Sequence, residues 1–135
     1  MATTSGDCTI VEVGEAPNMF EGSYPGEMRF LGRHMGTEQV ALTYRRMPAE
    51  TGGKGSYGHR HKTQEEIYYV IAGTLEFKLG DEVVDVPAGG AVRVPPQTVR
   101  SVWNEGPDDA EMLICSVRIE DPRADAEMIA DFWPE

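Results

Sequence analysis

The residues with the clearest chemical potential lie in one stretch, Gly53-Lys54-Gly55-Ser56-Tyr57-Gly58-His59-Arg60-His61-Lys62-Thr63-Gln64-Glu65-Glu66, followed by six residues and Gly73. The chain has three histidines, and two of them, His59 and His61, are two positions apart. On a β-strand, residues two apart face the same side with Cα atoms about 6–7 Å apart, so both imidazoles can aim at one point. Glu66 lies five residues beyond His61, an odd offset that would face it away on an unbroken strand. The polar Lys62-Thr63-Gln64 segment allows a turn, after which the next strand brings Glu66 back to the same point. Two imidazoles and a carboxylate suit a divalent first-row metal, and on one face of it they form an iron-type facial triad. A solvated histidine pair on an exposed strand is the competing reading. The alternation, the rarity of histidine and the bracketing glycines favour metal ligation.

Positioning such a cluster requires strands. Short apolar or alternating runs occupy 8–13, 28–33, 39–47, 67–72, 74–79, 82–86, 91–94, 98–104 and 111–119, most of them rich in Val, Ile, Tyr or Phe. Leu75, Phe77 and Leu79 alternate with Glu76 and Lys78, the period of a half-buried strand. Turn residues separate the runs, among them Gly80-Asp81, Pro87-Ala88-Gly89-Gly90 and Pro95-Pro96-Gln97. This spacing predicts an all-β antiparallel sandwich or barrel. At the end of the chain a short helix or tail is expected. Asp121 is placed as its N-cap and Pro122 in its first turn, with Met128 and Phe132, then Ile129 and Trp133, four apart on one face.

A chain of 135 residues has room for one domain, taken here as residues 1–135. With 23 acidic against 12 basic residues the net charge is −11, which argues against nucleic-acid and anionic-membrane partners, since both need a basic face. No apolar run approaches a membrane span, and the N-terminus lacks the basic start and apolar stretch of a secretory signal. Cys8 and Cys115 form no CxxC pair, so reduced thiols in a cytoplasmic protein are the simpler expectation.

The histidine stretch resembles the first motif of the cupin superfamily, G(x)5HxH(x)3–4E(x)6G, matched by Gly53, His59, His61, Glu66 and Gly73. The second cupin motif is matched by Pro87-Ala88-Gly89 and by Asn104, with Arg100 at the position of its histidine. The segments GHRHKTQEEIYYV, AVRVPP and DAEMIADFW are similar to a group of small single-domain bacterial cupins in which arginine also replaces the last histidine. The resemblance implies a single cupin barrel, a jelly roll or double-stranded β-helix, with motif 1 at 53–73 and motif 2 at 87–104. It also implies that His59, His61 and Glu66 are metal ligands.

Arg100 cannot ligate a metal, because a protonated guanidinium has no free lone pair. Two opposed roles follow. Either Arg100 forms a bidentate pair with Glu66 in place of a cation, leaving a metal-free pocket, or it stands behind a metal site and clamps an anionic substrate group. The second role is favoured, with Glu65 as a neighbouring carboxylate. Arg100 should share an inward face with Val102 and Asn104. Tyr68, on the parity of Glu66, is either a core aromatic or an acid–base or orienting hydroxyl. One of Arg45 and Arg46 must face inward. Cys115 reads as a small buried hydrophobe and His34 as an exposed strand-end residue.

The expected function is that of a small barrel binding a divalent metal (iron, manganese, nickel or zinc) and a small anionic organic molecule. Its chemistry would be that of a metal-dependent dioxygenase, isomerase or decarboxylase. The alternative is a metal-free, non-catalytic small-molecule binder. A homodimer is expected, with Phe132 and Trp133 as apolar surface to cover.

Overall fold

The computed structural model describes residues 3–135. A hairpin of β1 (Thr3–Ser5) and β2 (Cys8–Ile10) leads through a short 3-10 turn into β3 (Glu27–Phe30), α1 (Leu31–Met35) and β4 (Val40–Met47). The motif region follows as β5 (Thr51–Gly52), β6 (Ser56–His61), β7 (Glu66–Ala72), β8 (Thr74–Leu79), β9 (Glu82–Pro87) and β10 (Ala91–Val94). The chain ends with β11 (Arg100–Asn104), β12 (Ala110–Val117), α2 (Pro122–Asp125) and β13 (Ala126–Trp133). One sheet runs β10-β7-β12-β4-β3 and the other β13-β6-β11-β8-β9, all pairings being antiparallel, with β5 against β11. The expected all-β jelly roll is therefore what the chain forms.

The two sheets face each other across the core. Tyr68 and Val70 of β7 and Met112 of β12 meet Leu75 and Phe77 of β8 and Val102 of β11 there. The Tyr68 and Phe77 rings stack edge to face, with centroids 5.3 Å apart. Along β7 the alternation is clean: Tyr68 and Val70 are buried, while Ile67, Tyr69 and Ile71 are exposed. On β11, Arg100, Val102 and Asn104 are all buried, as is Ser101 between the first two. Asn104 serves the loops, donating to Met47 O and Asp108 O and accepting from Gly106 N.

Two motif glycines are explained by close approach. A Cβ at Gly53 would stand 1.8 Å from Ser101 Oγ and 2.6 Å from Tyr57 O. Gly73 turns the β7–β8 hairpin at φ +76°, with Ala110 already 3.0 Å from where its Cβ would be.

Two expectations are corrected. The predicted C-terminal helix is only α2, four residues long, capped as expected by Asp121, which accepts from Ala124 N at 3.2 Å. From Ala126 on, the chain is a strand that pairs with the free edge of β6. A spacing of four is also an even number, so Met128/Phe132 and Ile129/Trp133 fit a strand face as well as a helix face. The open edge decides between them. Trp133 is consequently buried within its own chain and is not available as dimer surface. Lys78 Nζ sits 3.9 Å from the centroid of the Phe132 ring. The run at 28–33 likewise splits into β3 and α1, which places His34 on a helix.

Candidate metal centre

His59 and His61 come from β6 in one sheet, and Glu66 opens β7 in the other. The four residues between them turn the chain from one sheet to the other, which converts the odd sequence offset into convergence. His59 Nε2 lies 3.6 Å from Glu66 Oε1, and His61 Nε2 lies 3.5 Å from Glu66 Oε2. Ligand atoms from all three residues fall within 4.8 Å of one another. The imidazoles stand edge to face, with centroids 5.1 Å apart.

These N···O separations exceed a hydrogen bond. They suit donors sharing one ion, since two ligands each ~2.1 Å from a tetrahedral centre are about 3.4 Å apart. The donor set passes a second test behind His61. Its Nδ1 is 3.2 Å from Asp125 Oδ2, which commits the other nitrogen, Nε2, to the cluster. A carboxylate behind a ligating histidine fixes the tautomer and raises the basicity of the ligand nitrogen. Asp125 is itself held by Thr63 N at 2.9 Å and Thr63 Oγ1 at 2.6 Å on Oδ1, and by Gln64 N at 3.0 Å on Oδ2. The His59–His61–Glu66 cluster is compatible with binding a metal.

The electrostatics of Glu66 agree. Burial works to raise its pKa, but the contacts from His59, His61 and Tyr68 outweigh that effect and hold it far below the ordinary carboxylate range. Tyr68 Oη donates to Glu66 Oε1 at 2.6 Å. Burial and the neighbouring Glu66 charge push the Tyr68 hydroxyl well above its usual value, so it stays protonated and keeps donating.

Arg100 has no exposed surface. Its Nε lies 3.9 Å from Glu66 Oε1, and its one hydrogen bond runs from Nη2 to Pro95 O at 3.1 Å. The bidentate Arg100–Glu66 pair that would replace a cation is therefore not formed. Nor is Arg100 among the residues lining the cavity beside the cluster. Glu65 points elsewhere, pairing with Arg93 at 2.5 Å on the surface.

That cavity has a volume of about 370 Å³ and is lined by His59, His61, Glu66, Tyr68 and Arg45, among others, a size suited to a small molecule. The choice left open on β4 is settled by it: Arg46 pairs outward with Glu27 and Asp109, and Arg45 faces the cavity. A second cavity of about 490 Å³ shares His61 and Glu66 with the first. His34 lines neither. Cys115 is half-buried and pairs across β12 with the exposed Ile67, so it faces away from the cluster.

Sequence reasoning missed Asp125. It lies 64 residues beyond His61, where no spacing rule applies, and its one local signal is its place in the turn capped by Asp121.

The family model for the cupin domain matches residues 46–116, just over half of the 135 residues, and the chain belongs to the cupin family. A protein of Methanocaldococcus jannaschii, described as uncharacterised, is 36% identical over 58 residues, or 43% of this chain and 46% of that one. The match thus spans less than half of that relative's length. Among solved structures, a sugar phosphate isomerase of the cupin superfamily from Silicibacter pomeroyi superposes with a TM-score of 0.72. The identity is 15%, and the superposition covers 90% of this chain and 92% of that one. A predicted oxalate decarboxylase from Thermotoga maritima gives a TM-score of 0.66 at 23% identity, over 82% and 99% of the two chains. At these identities the likeness shows the fold alone.

Proposed function

We propose that this cupin is a metal-dependent protein acting on a small organic molecule, with His59, His61 and Glu66 as the ligands of a divalent first-row cation. The observation that carries the reading is the convergence of the three donors, with Asp125 holding the outer nitrogen of His61. When bound, the ion supplies a Lewis acid with coordination positions left over for a substrate oxygen. The chain's own residues do the rest. Tyr68 keeps Glu66 ionised and oriented, Asp125 orients His61, and Arg100 lends positive charge beneath Glu66. Isomerase, decarboxylase and dioxygenase chemistry all use such a site, and the two structural neighbours described above are named for the first two classes.

Elemental analysis of protein purified without chelator or affinity tag tests this. Stoichiometric manganese, iron, nickel or zinc that is lost in His59→Ala supports it. Metal-free protein that also fails to take up added divalent ions refutes it and leaves a plain binding barrel. The reading includes a cytoplasmic setting with free Cys8 and Cys115 thiols, and pairing of two copies through the exposed row Ile67, Tyr69 and Ile71 on β7. A monomer mass by light scattering at micromolar concentration would refute the pairing. No helix among the described residues is long and apolar enough to cross a membrane.

A further inference from the structure

With 23 carboxylates against 12 cations, acidic partners outnumber basic side chains nearly two to one. The surface uses them: Arg29 and Arg46 on Glu27, Arg60 on Glu127, Arg93 on Glu65. Four arginines form no ion pair among the described residues: Arg33, Arg45, Arg118 and Arg123. All four line the two adjoining cavities that share His61 and Glu66. Among the described residues, the arginines without an ion pair thus all line cavities that include His61 and Glu66.

Arg45 is the most demanding of the four. It is half-buried, and its Nε is closed to solvent with no hydrogen-bond partner. Its guanidinium rests 5.6 Å from the centroid of the Phe20 ring, a contact that leaves the in-plane N–H groups free. In the second cavity Glu120 and Asp121 offset the arginines. In the metal cavity the one lining acid is Glu66, which already faces the imidazoles. A buried donor without an acceptor is costly, so Arg45 is a group prepared for an oxyanion that arrives from outside.

We propose that the metal cavity takes a small organic oxyanion, a carboxylate or a phosphate ester, whose charged group is held by the planar fork of Arg45. This deepens the metal reading and rests on it for the cavity's being a substrate site. Arg123, common to both cavities, is a second cation at their boundary. The anion would also offset the positive charge of the ion and of Arg100 beneath it.

The test titrates succinate and, separately, inorganic phosphate into manganese-loaded protein by calorimetry. One of the two should bind, which distinguishes the carboxylate from the phosphate source. Arg45→Gln should raise that Kd by about tenfold or more, the range of a charge-assisted hydrogen bond, with manganese affinity unchanged. Arg45→Lys, which keeps the charge but lacks the fork, covers the case in which Gln does not fold, and it should weaken binding several-fold. Manganese binding without binding of either oxyanion, or a Kd that neither substitution changes, overturns the proposal and leaves the metal reading standing. Oxyanion binding that depends on Arg45 in protein unable to hold manganese refutes the metal reading instead and upholds the anion site.

Discussion

His61 and Asp125 are joined through Nδ1 and Oδ2 at 3.2 Å, with both side chains less than a tenth exposed. The relationship links the last helical turn of the chain to the strand that carries the metal-ligand pair. It explains why the chain turns through α2 before β13 pairs with β6: the helix delivers one carboxylate to the back of one imidazole. Asp125 accepts three further hydrogen bonds from Thr63 and Gln64, so the same carboxylate also fixes the turn between His61 and Glu66.

Asp125→Asn keeps the shape and one accepting oxygen, turns the other oxygen into an amide that only donates, and removes the negative charge behind His61. Metal affinity, measured by competition with a fluorescent chelator, should fall about 10–100-fold. A folded variant that binds metal as tightly as the parent would show that the charge behind His61 does not tune the ligand.

Tyr68→Phe leaves the core volume nearly unchanged and takes the hydroxyl from a buried, ionised Glu66. Metal-free protein should lose about 1.5–3 kcal/mol in urea unfolding, and the loss should shrink when metal is added, because the ion then satisfies the carboxylate. An equal loss with and without metal would place the hydroxyl's contribution elsewhere.

Arg100→His is the substitution toward a four-ligand site. Arg100 and His59 are cross-strand partners, and Arg100 Nε already lies 3.9 Å from Glu66 Oε1, close to the imidazole distances of 3.5 and 3.6 Å. A histidine there reaches the same region with a lone pair. Metal affinity should rise by about tenfold or more, since a fourth ligand adds to three already in place. Unchanged affinity in a folded variant would mean that the position does not address the cluster.

Stability toward acid should report a different part of the molecule. Glu27 accepts from Arg46 Nε at 2.5 Å and from Arg29 Nε at 2.7 Å, and these bonds hold its carboxyl below the ordinary value of 4.5. A depressed folded-state value means that the unfolded chain binds the proton more readily. The contribution is therefore complete above pH 4.5 and is lost as pH falls through the folded value. Glu27→Gln should cost roughly 1 kcal/mol at pH 7, and the gap to the parent should narrow as pH falls below 4.5. A gap independent of pH would show that the pairing contributes through packing alone.

Much of the site was legible because strand parity is a strong constraint. His59 with His61, Glu66 with Tyr68 and Val70, and Arg100 with Val102 and Asn104 each share a face as a two-residue period requires. The polar Lys62-Thr63-Gln64 segment signalled the change of sheet. Parity could not say which of Arg45 and Arg46 faces inward, because that depends on which side of β4 meets the second sheet. It could not find Asp125, whose partnership with His61 is set by the pairing of β13 with β6, strands separated by six others in the chain. The C-terminal strand escapes sequence reasoning for a related reason: intervals of four suit both conformations, and only the unpaired edge of β6 distinguishes them.

Anomalous diffraction from crystals grown with manganese addresses the central claim most directly. The expected result is a single peak between the two sheets, about 2.0–2.3 Å from His59 Nε2, His61 Nε2 and one Glu66 oxygen, with the Arg100 guanidinium still bonded to Pro95. The contradicting result is no peak there, and the guanidinium drawn onto both oxygens of Glu66 in the place where the ion should be.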